Sequence, residues 1–414
     1  MQIETNQDRL WSTLMELGKL GETDKGGCNR VEFTVLNKEA RDRFCSWARD
    51  AGCQIVIDGF GNIRARRQGK NPDAPTVMCG SHLDTQPTGG KFDGVYGVLG
   101  GLEAIRALND AGAETEATIE VVVWTNEEGY IFQPMMGSAV WTGMIPLKEA
   151  LEMRDEKVDF KICEGLERMG YAGTAPLMER EKVACYLELH IEQGPVLENA
   201  DEWIGVVDST QGQHWYDLQL NGTEAHAGPT PMALRKDALM GMSRIALEVD
   251  RIARDNMPAC GTVGFVEVFP NSRNTIPGRV KFTADLRHPD PEKLAAMDRE
   301  FRIIANDIAV DMSLKLSLNE FTFIKPLQFN QPLADAIEQA VIATEKPYRR
   351  MFTGAGHDAC NIARFLPTAM IFIPCRDGIS HNESEWAESD QCKSGADVLA
   401  NTLMAAANGR VKYE

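Results

Sequence analysis

Seven side chains combine type and spacing in a way that could hold metal: His82, Asp84, Asp93, Glu127, Glu128, His190 and His381. In Gly80-Ser81-His82-Leu83-Asp84 an imidazole is followed two residues on by a carboxylate, and a second carboxylate, Asp93, stands between Phe92 and Gly94. An imidazole can ligate, a nearby carboxylate can orient its other ring nitrogen, and a further carboxylate can coordinate. Taken singly, a histidine after a strand is usually a surface residue, an adjacent Glu pair a solvated turn, and an Asp beside glycine a turn residue. The joint pattern is what resists that reading. The chain has only 7 histidines, and His82, His190 and His381 all occupy such positions. Five ligands (His82, Asp93, Glu128, His190, His381) exceed the three protein ligands of a catalytic zinc. They suit two ions if one carboxylate bridges. Asp93 is the expected bridge, with His82 and His190 completing one site and Glu128 and His381 the other. Oxygen and imidazole donors suit zinc, manganese, cobalt or nickel. Two cations would acidify a water and clamp an attacked carbonyl oxygen. Glu127, beside a ligand, is the expected general base and proton donor, and Asp84 the expected partner of the second ring nitrogen of His82.

Strand ends must position these groups. The apolar run Thr76–Cys79 leads into the first stretch, and a Gly-rich helix over Val95–Leu108 leads out. Ala117–Trp124 reads as a strand buried on both faces, ending at Glu127-Glu128. Val183–Leu189 is another, ending at His190, and Thr368–Ile373 precedes His381. Ligand sites of open α/β sheets form at the carboxyl ends of strands. Amphipathic helices are expected over Asp8–Leu17 and Glu39–Ala51, a hairpin over Gln54–Asp58 and Ile63–Arg67, and two helices within Met144–Arg180. After about residue 209 the pattern changes. A strand at Trp215–Leu220, a helix over Pro231–Arg254, strands at Thr262–Val268 and Val280–Leu286, a helix over Pro291–Asp311 and a strand at Leu314–Ile324 give β-α-β-β-α-β, the ferredoxin-like order. Helices over Leu333–Glu345 and Gln391–Asn408 frame the last strand. The expected architecture is an α/β catalytic domain, residues 1–209 and 327–414, interrupted by an α+β domain over 210–326.

Bulk properties narrow the partners. At 414 residues two cores are expected, and a net charge of −18 with no basic block disfavours nucleic acid and anionic membrane. Ten cysteines without a C-x-x-C pair read as reduced packing residues. The N-terminus has neither a basic flank nor an apolar signal core, so a cytoplasmic location is expected.

The motifs Gly80-Ser-His-Leu-Asp-Thr-Gln-Pro-Thr-Gly-Gly-Lys-Phe-Asp-Gly94, Asn126-Glu-Glu-Gly129, His190-Ile-Glu-Gln-Gly-Pro195, Ala225-His-Ala-Gly-Pro-Thr-Pro231, Pro270-Asn-Ser-Arg-Asn-Thr-Ile-Pro-Gly278 and Ser380-His-Asn-Glu-Ser-Glu385 run across nearly the whole chain. With them the sequence resembles the amidase, hydantoinase/carbamoylase family, dinuclear-metal hydrolases related to the metallo-aminopeptidases and carboxypeptidases. The resemblance implies the ligand set above with Glu127 as base, and a homodimer built through an inserted lid and dimerisation domain. It implies that His226 reaches the neighbouring subunit's site and stabilises the oxyanion, that Asn274 and Arg287 bind the substrate carboxylate, that Gln193 contacts a ureido group, and that Gly356 and His357 line the pocket. The implied reaction is hydrolysis of N-carbamoyl amino acids to amino acid, carbon dioxide and ammonia. Alternatives within the family are N-carbamoyl-β-alanine and allantoate as substrates. Trp215 stands where the allantoate enzymes tend to have a basic residue, and Pro229 matches the carbamoylases, whereas Thr85–Gly90 is similar to the β-ureidopropionases. A dipeptidase or aminoacylase is disfavoured because such relatives usually place an acid at the position of His190. A non-catalytic binding protein is disfavoured by the complete ligand set.

Overall fold

The structure is a computed structural model that describes residues 2–177 and 182–413. Its chain divides into two compact units, Met1–Asp208 with Phe329–Glu414, and Ser209–Gln328.

The first unit is built on an eight-stranded sheet. From edge to edge its strands are Gln54–Ile57, Ile63–Arg67, Ile119–Trp124, Thr76–His82, Val183–Ile191, Thr368–Ile373, Ile204–Thr210 and Tyr348–Thr353. The four central strands are mutually parallel. Thr76–His82, Ile119–Trp124 and Thr368–Ile373 are buried along their whole length, which is why they read as continuous apolar runs. The helix Val95–Asp110 packs on this sheet beside the C-terminal helix Ser389–Ala407. Gly80 is required where the first central strand meets its neighbour: its φ is +147°, and a Cβ would overlap the Val122 carbonyl.

Differences from the sequence pattern have local causes. The second helix begins at Val35, not Glu39, because the Thr34 side chain caps it by accepting the Asn37 amide. A short helix, Met136–Trp141, precedes the charged stretch. Two helices, Leu147–Leu151 and Ile162–Met169, lie within that stretch, whose end at 178–180 falls outside the described residues. The edge strand Tyr348–Thr353 is only partly buried and shows no alternation to read.

The second unit has an antiparallel sheet in the order Val266–Phe269, Arg279–His288, Gly212–Asn221, Lys315–Ile324, with Cys260–Thr262 also paired to Arg279–His288. Even-numbered residues from Tyr216 to Leu220 and from Val280 to Leu286 face the helices Ala238–Asp255 and Pro291–Asp311 and form a second core. The order of strands and helices is the ferredoxin-like one. The first helix of this unit starts at Ala238 rather than Pro231, because Asp237 caps it through the Leu239 and Met240 amides while Arg235 is extended. The strand expected over Thr262–Val268 is two strands parted around Gly264. Among the described residues no helix is long and apolar enough to cross a membrane.

Candidate metal centre

His82 is the last residue of its strand and His190 the last but one of the parallel neighbour. Their second ring nitrogens are held by main-chain carbonyls. His82 Nδ1 is 2.9 Å from the Asp84 oxygen, and His190 Nδ1 is 2.9 Å from the Ile191 oxygen. A carbonyl can only accept, so each Nδ1 carries the proton and each Nε2 offers a lone pair. Those Nε2 atoms lie 3.6 Å and 3.2 Å from Asp93 Oδ1. Gly94 makes the fit possible: its φ is +65°, and a Cβ would run into the His82 ring.

The other half of the site approaches the other oxygen of Asp93. His381 Nε2 is 3.2 Å from Asp93 Oδ2 and 3.3 Å from Glu128 Oε2. Ligating atoms of His82, Asp93 and His190 lie within 4.8 Å of one another, and so do those of Asp93, Glu128 and His381. Asp93 thus belongs to both groups and turns one oxygen to each. All donors are oxygen or imidazole nitrogen, a set that fits divalent ions of the borderline class. Glu188, His190 and His357 form a third such group, but it shares His190, and Glu188 already accepts the Ser81 hydroxyl at 2.7 Å and the Ala359 amide at 2.8 Å.

The electrostatics of the protein alone are strained. Burial pushes Glu127 well above the usual carboxylate range, against the attraction of His82, and pushes Glu128 up to about 7 with help from Asp93. Burial opposes ionisation of Asp93 too, but the imidazoles of His190, His381 and His82 around it outweigh that and hold Asp93 well below the usual range. The hydrogen bond to Asp93 raises His381 to about 9. Burial, with His190 adding to it, holds His357 well below the ordinary imidazole value. A crowd of buried acids of this kind is relieved by bound cations.

Asp84 departs from expectation. Its carboxylate is 3.6 Å from His82 Nδ1, beyond hydrogen-bond reach, because its own main-chain carbonyl takes that nitrogen. The carboxylate instead accepts the amides of Glu127 at 3.4 Å and Glu128 at 3.1 Å. It orients the acidic pair, not the imidazole. Glu127 Oε2 lies 3.4 Å from His82 Nε2, and its residue is 8% exposed.

Three further residues escaped sequence reasoning although they lie inside the motifs. Gln86 holds Glu128, donating its main-chain amide to Oε1 at 3.0 Å and its side-chain amide to Oε2 at 2.9 Å. Ser380 and Glu385 lie behind Asp93. The signal was their place in the motifs, but their partners are distant in sequence.

A cavity of about 250 Å³ opens on the cluster, lined by His82, Asp93, Glu127, Glu128 and His381 and also by Gln193, Gly356 and His357 among others. Gln193 Nε2 donates to Asp93 Oδ2 at 2.8 Å. Its Oε1, and Nε2 of His357, are buried without a partner among the described residues.

His226, Asn274 and Arg287 belong to the second unit. A two-stranded pairing of Ala225–His226 with Thr275–Ile276 brings the first two together, and the Ala227 amide donates to the Asn274 carbonyl at 2.8 Å. His226 is exposed, its Nδ1 accepting the Gly228 amide at 3.1 Å. Arg287 pairs one edge of its guanidinium with Asp285, Nε at 2.9 Å and Nη2 at 2.8 Å.

Residues 78–405 match the family model described as Peptidase family M20/M25/M40, and the chain belongs to that family. It is 42% identical to an N-carbamoyl-L-amino-acid amidohydrolase of Rhizobium meliloti, over 97% of each chain. It is 33% identical to an allantoate amidohydrolase of Escherichia coli, over 94% of this chain and 96% of that one. A solved hydantoinase/carbamoylase family amidase of Burkholderia multivorans is 48% identical, with 98% of each chain covered and a TM-score of 0.94.

Proposed function

We propose that the protein is a metal-dependent amidohydrolase that cleaves the carbamoyl C–N bond of an N-carbamoyl amino acid, with water, to give the amino acid, carbon dioxide and ammonia. The observation that carries this reading is Asp93, which turns one carboxylate oxygen to each of two ligating groups. His82 and His190 would hold one divalent ion (zinc, manganese, cobalt or nickel), Glu128 and His381 the other, and Asp93 both. Such ions, when bound, supply Lewis acidity for the carbonyl and for the attacking water. Glu127, at the cavity wall and paired among the described residues with no cation other than His82, takes the water's proton and passes it to the leaving nitrogen. Gln193 Oε1 and His357 Nε2, both unpartnered among the described residues, are proposed to meet the ureido group, with Gly356 lining the same cavity.

Among the described residues no cationic side chain other than imidazole lines this cavity. As the resemblance implies, Arg287, whose second guanidinium edge is not used by Asp285, binds the substrate carboxylate together with Asn274. His226 serves the site of the neighbouring subunit in a homodimer. That assembly is supported by the edge strand Lys315–Ile324, which pairs on one side only within the described residues. It is also supported by exposed Met240 and Leu247 on one helix and Ile303 and Val310 on the next, each pair seven residues apart and so on one helical face. Ten free cysteines support a cytoplasmic location.

The test is a substrate panel on the metal-loaded protein: N-carbamoyl-L-amino acids, N-carbamoyl-β-alanine, allantoate, dipeptides and N-acetyl amino acids, each with the wild type and Glu127→Gln. Ureido substrates should be hydrolysed by the wild type alone, at equal metal content. Cleavage of dipeptides without cleavage of any ureido compound would overturn the reading.

A further inference from the structure

The motif that carries His381 contains a second acid that the proposed reaction does not use. Glu385 is 3% exposed and lies behind Asp93. Its Oε1 accepts the main-chain amides of Phe92 at 3.0 Å and Asp93 at 3.1 Å, and its Oε2 lies 2.7 Å from the Ser380 hydroxyl. Ser380 Oγ is in turn 3.1 Å from Asp93 Oδ2 and 3.3 Å from Gln193 Nε2. Every one of these contacts bears on Asp93, through its backbone at one oxygen and its side chain at the other. The approach is so close that residue 90 has to be glycine, since a Cβ there would overlap the Glu385 carboxylate.

The task this solves is rotational. A carboxylate turns about its last torsion in a broad, roughly two-fold well. Asp93 can turn one oxygen to each half of the cluster only if that rotation and its own backbone are held. The backbone is held by Oε1 of Glu385. The rotation is held at Oδ2 by the Gln193 side-chain amide and by the Ser380 hydroxyl, whose single proton is shared between Asp93 Oδ2 and Oε2 of Glu385. The same glutamate sits four residues after His381, so one short segment sets both a ligand and the shared carboxylate.

We propose that Glu385 is a positioning residue that fixes Asp93 as the shared ligand and so couples the His381–Glu128 half of the site to the His82–His190 half. The inference rests on the reading that Asp93 bridges two ions. Removing a hydrogen-bonding partner behind a ligand typically costs 10–100-fold in metal affinity. Because Ser380 and Gln193 act on Oδ2, the loss should fall on the half that uses Oδ2.

The experiment titrates chelated full-length protein with manganese(II), following heat and electron paramagnetic resonance. Wild type should take up two ions per chain and show an exchange-coupled signal. Glu385→Ala should keep the first ion within about threefold, lose about 10–100-fold in affinity for the second, and show the spectrum of isolated ions. Glu385→Gln still offers an acceptor to the two amides and a polar end to Ser380, so it should retain most of the coupling. Ser380→Ala removes only the side-chain link and should weaken the second ion alone, which keeps the test available if Glu385→Ala fails to fold. Two outcomes overturn the inference while leaving the bridged site intact: unchanged coupling in both Glu385→Ala and Ser380→Ala, or an equal loss of both ions in step with thermal stability. Uptake of a single ion by the wild type would overturn the bridge itself and this inference with it.

Discussion

Asp84→Asn separates two accounts of how the acidic pair is held. If the carboxylate oriented His82, the substitution would weaken the ion held by His82 and His190. The structure gives that task to the Asp84 main-chain carbonyl, 2.9 Å from Nδ1, which asparagine leaves untouched. What asparagine removes is one of two acceptors for the Glu127 and Glu128 amides, at 3.4 Å and 3.1 Å, in a residue only 1% exposed. One buried amide then faces an N–H₂ group. Losing a charge-assisted bond and stranding a buried donor costs about 2–3 kcal/mol. At 1.4 kcal/mol per tenfold, that is a factor of about 30–150. It should appear in the affinity of the Glu128–His381 half and in kcat through Glu127, because those side chains hang from the released amides. Calorimetric titration of chelated protein with manganese(II) measures the first effect. A double-mutant cycle assigns it: Asp84→Asn should be additive with His190→Ala and strongly non-additive with His381→Ala. Additivity with His381→Ala, or loss confined to the His82–His190 half, would refute the argument.

Other expected outcomes follow from the same geometry. Gly94→Ala would drive a methyl group into the His82 ring, so the purified protein should lose the His82–His190 ion, read as metal per chain by elemental analysis, with the helix content in circular dichroism unchanged. In the chelated protein His381 is raised to about 9 and Glu128 to about 7, so both must shed protons to ligate; metal binding near pH 7 should release protons, read from the buffer dependence of the binding heat, and apparent affinity should rise with pH. Both pKa values are raised by folding, so their stabilisation is complete below the ordinary values and is lost as pH climbs through about 7 and about 9; the chelated protein should melt progressively lower from pH 5 to 9, an effect that bound metal cancels. Arg287→Lys keeps the charge but not the fork, so KM for a ureido substrate should rise about 10-fold or more, an order expected from losing a charged hydrogen bond, with metal content unchanged.

The positions of the candidate ligands at strand ends were legible because those strands are buried. Val121-Val122-Val123 and Met370-Ile371-Phe372 are short continuous apolar runs that fit strands buried on both faces, and the acids and imidazoles just beyond them could then be placed at one end of a sheet. The roles of Asp84, Gln86, Ser380 and Glu385 were not legible, for a common reason. Each acts through a hydrogen bond whose partner is set by packing: Glu385 reaches amides almost three hundred residues earlier, and no periodicity records that. Asp84 misled in a particular way. A carboxylate two residues from a ligand histidine is chemically suited to orient it, but at the end of a strand the main-chain carbonyl of the same residue lies closer. The helix expected from Pro231 failed because its apolar spacing continued upstream of Asp237, whose side chain nonetheless starts the helix by capping it.

Asp93 explains why the site has this shape. It sits between a buried strand end and the start of the helix Val95–Asp110, where the backbone turns sharply enough to need Gly94 at positive φ. Such a turn puts one carboxylate within reach of two strands and a distant loop together. The amides of that turn are bound from outside it, those of Phe92 and Asp93 by Glu385 and that of Gly94 by His190. Support for the carboxylate comes likewise from outside the turn, from Ser380 and Gln193 at Oδ2. All of these lie in the first unit. The two ligating groups are thus complete within one unit, and substitutions in the second unit should alter which substrate is accepted without altering how many ions are bound.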